Sequence, residues 1–371
     1  MRRERVAVID VGSSKITAMI ASRGINCDLI ALSCVDKNYG GFSEGEFFDD
    51  NEFEDAVRSA FKEALAAAKC KIKKIVVGIP NSFLVFRRKK FKITFGRKKR
   101  IRKKDVEELI SAGEPEVRQS GYEIISRLPI TFGVNGKKVF DPIGFHSSEL
   151  GGFISYVLAD ASFINNVNRA VGGKKGIKVE FVCENYTEGA YFLRDKFNAV
   201  PVVVADIGYI TSSFSLLYGG GIVADKSVDS GGGYITAALV DKYSLPIEVA
   251  EELKRKINLG LKDSSDSFYK IQADSEVFEL PVGEVNSLTR EVIDDVVGAL
   301  DDFIEQNSVK FQGDIKVYLT GGGISRMRGA KSHVSARIGI ETEILTPSIP
   351  EYDKPERSSL IALASYAIGE K

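Results

Sequence analysis

Residues 6–20 read VAVIDVGSSKITAMI. Val6, Ala7, Val8 and Ile9 form an apolar run too short for a helix and rich in β-branched residues, which predicts a buried strand. Asp10-Val11-Gly12-Ser13-Ser14 predicts a turn, and residues 15–21 predict a second strand. A carboxylate at a strand end, followed by a glycine and two hydroxyls, suits a phosphate-binding hairpin. Gly12 admits close approach of the backbone to an anion, Ser13 and Ser14 donate to phosphate oxygens, and Lys15 adds charge. Asp10 repels phosphate, so its expected role is to hold a hydrated Mg²⁺. Turns of this composition also occur for turn chemistry alone.

A second copy changes the reading. Residues 202–216 read VVVADIGYITSSFSL, with Asp206 matching Asp10 and Gly208 matching Gly12. A third turn, Leu319-Thr320-Gly321-Gly322-Gly323, follows the apolar run 315–319. Two related hairpins and a late triple glycine resemble the actin-like ATPases. That resemblance implies an α/β fold in which two duplicated ribonuclease-H-like domains close on one ATP with Mg²⁺.

The 371 residues suffice for two domains with substantial cores. With 51 basic and 51 acidic residues the formal net charge is zero, so no nucleic-acid partner is expected. Cys27, Cys34, Cys70 and Cys183 lack C-x-x-C spacing, which points to a reducing cytosol and away from zinc or disulfides. His146 and His333 sit among small polar residues and are expected to be structural or surface groups. The N-terminus enters the first strand directly, so no signal peptide is expected, and no run reaches transmembrane length.

Along the chain, strands are expected at 28–35 and 74–79, a polar glycine-containing link at 42–48, and a helix at 51–69 capped by Asn51 or Asp50. Residues 87–104 carry twelve lysines and arginines and no acid. Phe91, Ile93 and Phe95 alternate between these charges, which predicts a solvated strand-turn-strand. A helix at 104–112 and strands at 121–132, 136–140 and 151–158 complete an inserted α+β unit. Helices follow at 163–171 and 185–197 with a strand at 178–182 between them. Beyond the second hairpin come a strand at 219–228, a helix opened by Gly231, Gly232 and Gly233, and a helix at 247–256. An acidic stretch at 263–282, a long amphipathic helix at 283–306 and a helix at 358–368 end the series, with an ordered loop at 346–355.

At full length the sequence resembles the bacterial cell division protein FtsA family. The resemblance is carried by IDVGSSKI, KIVVGIPNSF, ITFGVNG, VFDPIGF, ELGGFISYV, ADIGYITSSF, VDSGGGYITAALV, AEELK and LTGGGISRMRGA. DPIGF followed by ELGGF separates FtsA and its pilus-assembly relative from sugar kinases and chaperones. The resemblance implies subdomain IA at 1–80 and 160–200, an inserted IC at 81–159, IIA at 201–245 and 307–371, and IIB at 246–306.

By position, it implies a first phosphate loop of Asp10, Gly12, Ser13, Ser14 and Lys15, and a second of Asp206, Gly208 and Thr211, with Asp10 and Asp206 on the metal. Gly231, Gly232 and Gly233 would approach the phosphates. Glu251 and Lys254 would face the ribose and base, although they also read as an ordinary exposed helix pair. Gly321, Gly322 and Gly323 would lie against the adenine and α-phosphate, and Glu184 would occupy the water-activating position.

The implied function is an ATP-binding scaffold that polymerises head to tail at the cytoplasmic membrane face and links the division ring, built of the tubulin homologue FtsZ, to that membrane. A pilus-assembly type platform gripping a partner peptide and a small-molecule kinase are the alternatives. Three departures stand out. Tyr209 and Ile210 replace two glycines of the family's second loop and Ser213 replaces an acid, which limits expected hydrolysis to slow turnover. The family's C-terminal amphipathic membrane helix is not in the sequence, so either it has been removed or the membrane is reached otherwise. The insertion is unusually basic, which suits steering toward an acidic subunit face or contact with an anionic membrane, with Phe83, Phe86, Phe91 and Phe95 as candidate inserting side chains.

Overall fold

The computed structural model describes residues 5–24, 28–117, 120–172, 176–193, 196–261, 267–273, 276–308, 311 and 315–369. Cys27 and parts of the acidic stretch at 263–282 lie outside them. The chain opens with β1 (Arg5–Val11), β2 (Lys15–Arg23) and β3 (Leu29–Asn38). The expected polar link instead makes a small hairpin, β4 (Phe42–Ser43) and β5 (Glu46–Phe47). Its aromatics turn inward: Phe47 stacks on Phe53 at 3.8 Å between ring centroids and also meets Phe83 and Phe163. Helix α1 (Asp50–Ala68) is capped by Asp49, whose carboxylate accepts from the Asn51 and Glu52 amides, one residue before the expected cap. Its stripe Phe53, Val57, Ala60, Phe61 and Ala64 is buried. Strand β6 (Lys74–Ile79) then pairs parallel to β1.

The insertion follows. The basic run falls in β7 (Leu84–Arg100), whose pairing with β10 jumps from Thr94 opposite Glu149 to Lys99 opposite Ser147, so residues 95–98 bulge out around Gly96 at φ +56°, where a turn was expected. It then continues through α2 (Lys103–Ala112), β8 (Tyr122–Val134), β9 (Lys137–Val139) and β10 (His146–Asp160). The sheet order is β7-β10-β8-β9, so β7 pairs with β10 along most of its length and leaves its other edge free. Leu109 of α2 packs with Ile154, Tyr156 and Leu158 in this sheet's own small core.

The chain returns through α3 (Ala161–Val171) and β11 (Lys178–Cys183), which completes a first sheet ordered β11-β6-β1-β2-β3. The helix expected at 185–197 is broken into α4 (Glu184–Glu188), a π-helical turn (Gly189–Leu193) and α5 (Lys196–Ala199). Gly189 lies so close to the second half that a Cβ there would fall 2.1 Å from Leu217 Cδ1.

The second half repeats the plan with β12 (Val202–Ile207), β13 (Ser212–Tyr218), β14 (Gly221–Val228), α6 (Gly232–Tyr243) and α7 (Ile247–Lys256). The acidic stretch forms a hairpin, β15 (Phe268–Ala273) and β16 (Glu276–Pro281), ahead of α8 (Val282–Ser308). Strand β17 (Lys316–Thr320), α9 (Ala330–Ile338), β18 (Thr342–Ile344) and α10 (Ser358–Ile368) finish the chain. The second sheet is ordered β14-β13-β12-β17-β18. Helix α9 and β18 had no periodic signal in the sequence. Helix α10 crosses back instead of closing the second half: Leu360, Leu363 and Ala364 pack on Val6, Val8, Met19 and Val76.

Candidate functional site

The two Asp-x-Gly turns have the same local geometry. The Gly12 amide donates to the Lys15 carbonyl and the Gly208 amide to the Thr211 carbonyl, each at 3.0 Å. In both, the antiparallel ladder ends just after the aspartate, with Asp10 opposite Thr17 and Asp206 opposite Ser213. Each loop therefore projects from the end of a rigid hairpin. The loops face one another across a cleft of about 830 Å³ lined by residues of both halves.

Most expected site residues line this cleft: Asp10, Gly12, Ser13, Ser14 and Lys15 from the first loop, Asp206, Gly208 and Thr211 from the second. Glu184, Glu251, Lys254 and the turn Gly321, Gly322 and Gly323 complete the wall. Gly231, Gly232 and Gly233 do not line it. The Gly232 and Gly233 amides donate to the Gly208 and Tyr209 carbonyls at 2.9 and 2.7 Å, so the start of α6 buttresses the second loop from behind. Gly321 is held at φ +83°, where a Cβ would come within 2.2 Å of Asp206 Oδ1; only glycine lets the third turn approach that carboxylate.

The electrostatics are dominated by acids. Burial and the neighbouring Asp206 push Asp10 up to about 7, and burial pushes Asp206 up to about 6. Glu184 is raised well above the usual carboxylate range by burial and then by Asp10 and Asp206. Glu188, one helical turn on, is raised by burial and Asp206. Glu184 Oε1 accepts the Val11 amide at 3.4 Å. Glu188 Oε1 accepts from the Thr320 and Ser359 hydroxyls at 3.0 and 2.9 Å, while its Oε2 is buried without a hydrogen-bond partner. Like charges gathered out of water call for a cation.

Lys15 is tied to Asp36 at 3.2 Å, and Arg357 holds the same carboxylate at 2.8 Å. Burial raises Asp36, but the Arg357 and Lys15 contacts outweigh it and hold the group well below the carboxylate range. Asp36 thereby anchors the first hairpin to the segment leading into α10.

Tyr209 and Ile210 change the second loop in a specific way. Neither lies at positive φ, so the turn closes without the glycines they replace. The Ile210 amide donates to Ser13 Oγ at 3.0 Å. The Tyr209 hydroxyl donates to Glu251 Oε1 at 2.9 Å, and Lys254 Nζ sits 4.7 Å from the Tyr209 ring centroid. Lys254 also bonds Glu251 at 2.7 Å and the Thr236 hydroxyl at 2.8 Å. Glu251 and Lys254 are therefore a partly buried pair engaged with the second loop, not the exposed helix pair their spacing also allows.

Several lining residues escaped the sequence reading, among them Asn81, Arg255, Arg326, Glu356 and Ser359. Arg326 and Glu356 form an ion pair at 2.8 Å beside Gly322. Asn81 and Arg326 lie inside stretches that carry the resemblance, but nothing in the sequence shows that segments so far apart meet at one cleft. Glu188 did carry a signal, its four-residue spacing from Glu184.

The groups present fit a nucleotide with Mg²⁺. The cleft combines two hydroxyl-bearing loops, a backbone cradle at Gly321 and acids whose ionisation awaits a cation. Among the described residues, no helix is long and apolar enough to cross a membrane.

A family model described as the SHS2 domain inserted in FtsA matches residues 56–158. The cell division protein FtsA of Rhizobium meliloti is 23% identical over 391 residues, covering 98% of this chain and 87% of that protein. The structure of a PilM–PilN type IV pilus biogenesis complex superposes with a TM-score of 0.67 at 18% identity, covering 98% of both chains. MreB5 of Spiroplasma citri bound to ADP superposes at 0.58 and 12%, covering 97% of this chain and 94% of that one. The fold is thus the actin-like two-domain ATPase fold with an FtsA-type insertion, and the resemblance to FtsA spans nearly the whole chain.

Proposed function

We propose that the chain is an actin-like cell-division scaffold that binds ATP with Mg²⁺, polymerises head to tail and works at the cytoplasmic face of the membrane with the division ring. The observation that carries this reading is the convergence of Asp10 and Asp206 with the triple-glycine turn in one cleft between two halves of the same plan. Asp10 and Asp206 would hold the Mg²⁺, directly or through water. Ser13, Ser14 and Thr211 would donate to phosphate, and Glu251 and Lys254 would serve the sugar once they part from Tyr209. Bound Mg²⁺ supplies charge neutralisation for the phosphates.

Glu184 would orient water, but burial, Asp10 and Asp206 raise its carboxyl well above the usual range, and Tyr209 packs against Gly231 and Gly233 behind the second loop. Turnover is accordingly slow, and the work of the protein is positional: nucleotide favours the closed form and closed subunits stack. The insertion is basic and the 246–306 unit is acidic, which would orient successive subunits and fix direction. FtsZ is the expected ring partner, through the resemblance to FtsA.

Calorimetry with ATP, with and without Mg²⁺, tests the nucleotide reading, and sedimentation with and without ATP tests assembly. Metal-dependent ATP binding coupled to pelleting supports the proposal. No binding by the unaltered chain makes Tyr209-Ile210 the mark of a dead site and overturns it. Phosphate release as fast as a sugar kinase removes the slow-turnover part.

A further inference from the structure

The distal end of the insertion is built unlike the rest of the surface. Strand β7 ends there at Arg100, and the loop 141–145 is clamped against it by two backbone bonds. The Ile101 amide donates to the Phe145 carbonyl at 2.8 Å and the Gly144 amide to the Ile101 carbonyl at 3.0 Å. Ile101 is fully buried and acts as the rivet, while Ile143 and Phe145 on the clamped loop are 50% and 47% exposed. Around them Arg97, Lys98, Arg100, Arg102, Lys103 and Lys104 are all exposed. Among the described residues only Lys103 of these six has an acidic partner, Glu107 at 3.9 Å. The nearby Asp105 is used by Lys99 and the Arg102 amide, and Asp141 by the Ile143 amide.

The phenylalanines of the basic run are differently placed. Phe83 and Phe86 are buried, Phe95 is half-buried under Lys99, and only Phe91 reaches solvent. Burial in the core rules out insertion by Phe83 and Phe86, and Phe95 packs partly against the insertion's own small core.

We propose that this tip docks on an anionic lipid bilayer, with Ile143 and Phe145 entering the interface and the surrounding cations meeting the headgroups. The inference rests on the reading that the chain works at the membrane face and names the surface that meets it. The whole molecule is electrically neutral, so the attraction is local to this tip. Two apolar side chains are too few for the packed centre of a stable protein interface, which takes on the order of 800 Å² per partner. A shallow apolar pair beside exposed cations, five of the six without an acidic partner among the described residues, is the arrangement that suits an anionic leaflet.

The chain contains no tryptophan, so Phe145→Trp gives a single reporter at the tip. The probes are vesicles of phosphatidylcholine alone and of phosphatidylcholine with phosphatidylglycerol, mixed with the full chain. The Phe145→Trp emission should shift to the blue with anionic vesicles and not with neutral ones, and the shift should be lost at high salt. In sedimentation, Lys98→Glu with Arg100→Glu should lower vesicle affinity by about tenfold or more, and Ile143→Ser with Phe145→Ser should lower it as well. All these positions are exposed, and unchanged thermal melting verifies the fold of each variant. Variants that pellet with vesicles like the unaltered chain overturn the tip as the contact and leave the membrane reading standing. Variants that lose lipid-free self-assembly yet keep vesicle binding assign the tip to a subunit contact, which also overturns it. A fluorescent fusion of the unaltered chain that is diffuse in cells overturns the membrane reading itself.

Discussion

The amide of Ile210 donates to Ser13 Oγ at 3.0 Å, joining the two Asp-x-Gly loops directly across the cleft. Both groups are of the kind a bound phosphate would use, so a nucleotide bound as proposed would compete with this contact between the halves. Ser13→Ala removes it without disturbing either hairpin. Hydrogen exchange at the Ile210 amide should speed up, and the melting temperature without nucleotide should fall by roughly 1–2 °C, the response of a 371-residue chain to about 1 kcal/mol. An Ile210 amide as protected as before would show that the contact is absent in solution.

Tyr209 engages Glu251 and underlies Lys254, the pair expected to meet the sugar. A nucleotide bound as proposed would have to displace these contacts, which would lower its net affinity. Tyr209→Gly should therefore tighten ATP binding by about tenfold, or about 1.4 kcal/mol. Calorimetry that finds weaker binding instead would make the Tyr209 ring part of the binding surface.

The acid cluster sets a pH dependence. Asp10 is raised from the ordinary 3.8 to about 7 in the folded chain. Between those values the folded state holds the proton that the unfolded state has lost, so stability falls as pH rises from about 4 to about 7. Asp10→Asn removes this component. Its melting temperature relative to the unaltered chain should climb across that interval in nucleotide-free, metal-free buffer, while ATP–Mg²⁺ binding is lost. A difference that stays flat with pH would rule out a raised Asp10.

Two adjacent glycines should behave differently. Gly321→Ala forces a positive φ on alanine and drives its Cβ into Asp206, so denaturant unfolding should show a loss on the order of 1–3 kcal/mol or more. At Gly322 a Cβ meets only Glu356 Cβ, at 3.0 Å, and the rest of a larger side chain extends along the cleft wall. Gly322→Val should stay folded and lose ATP binding in calorimetry. Equal stability losses at both positions would contradict this division.

Assembly has its own test on the acidic unit. Ile247 and Val277 are among the most exposed large apolar residues. Ile247→Glu should reduce ATP-dependent pelleting, and added salt should weaken pelleting of the unaltered chain, since screening acts over about 8 Å at physiological ionic strength. Indifference to both would separate polymerisation from this face.

The sequence alone was enough to determine the two hairpins, because an apolar run ended by Asp-x-Gly is a local pattern and its repetition carries the duplicated plan. It also determined the long helices, whose apolar spacing is periodic, and about half of the residues lining the cleft. Local pattern did not determine what those groups touch. Gly231, Gly232 and Gly233 looked like an anion cradle, yet their placement behind the second loop depends on how α6 meets Gly208 and Tyr209. Lys15 was free in the sequence and is bound to Asp36, twenty-one residues away. The Arg326–Glu356 pair and the crossing of α10 onto the first sheet are long-range packing outcomes that join segments far apart in the sequence. The exposed pair Ile143 and Phe145 read as two more apolar residues of DPIGF until the clamp at Ile101 turned them outward. Spacing encodes which residues share an element; only the packing of elements decides which charges end up paired and which apolar side chains are left facing solvent.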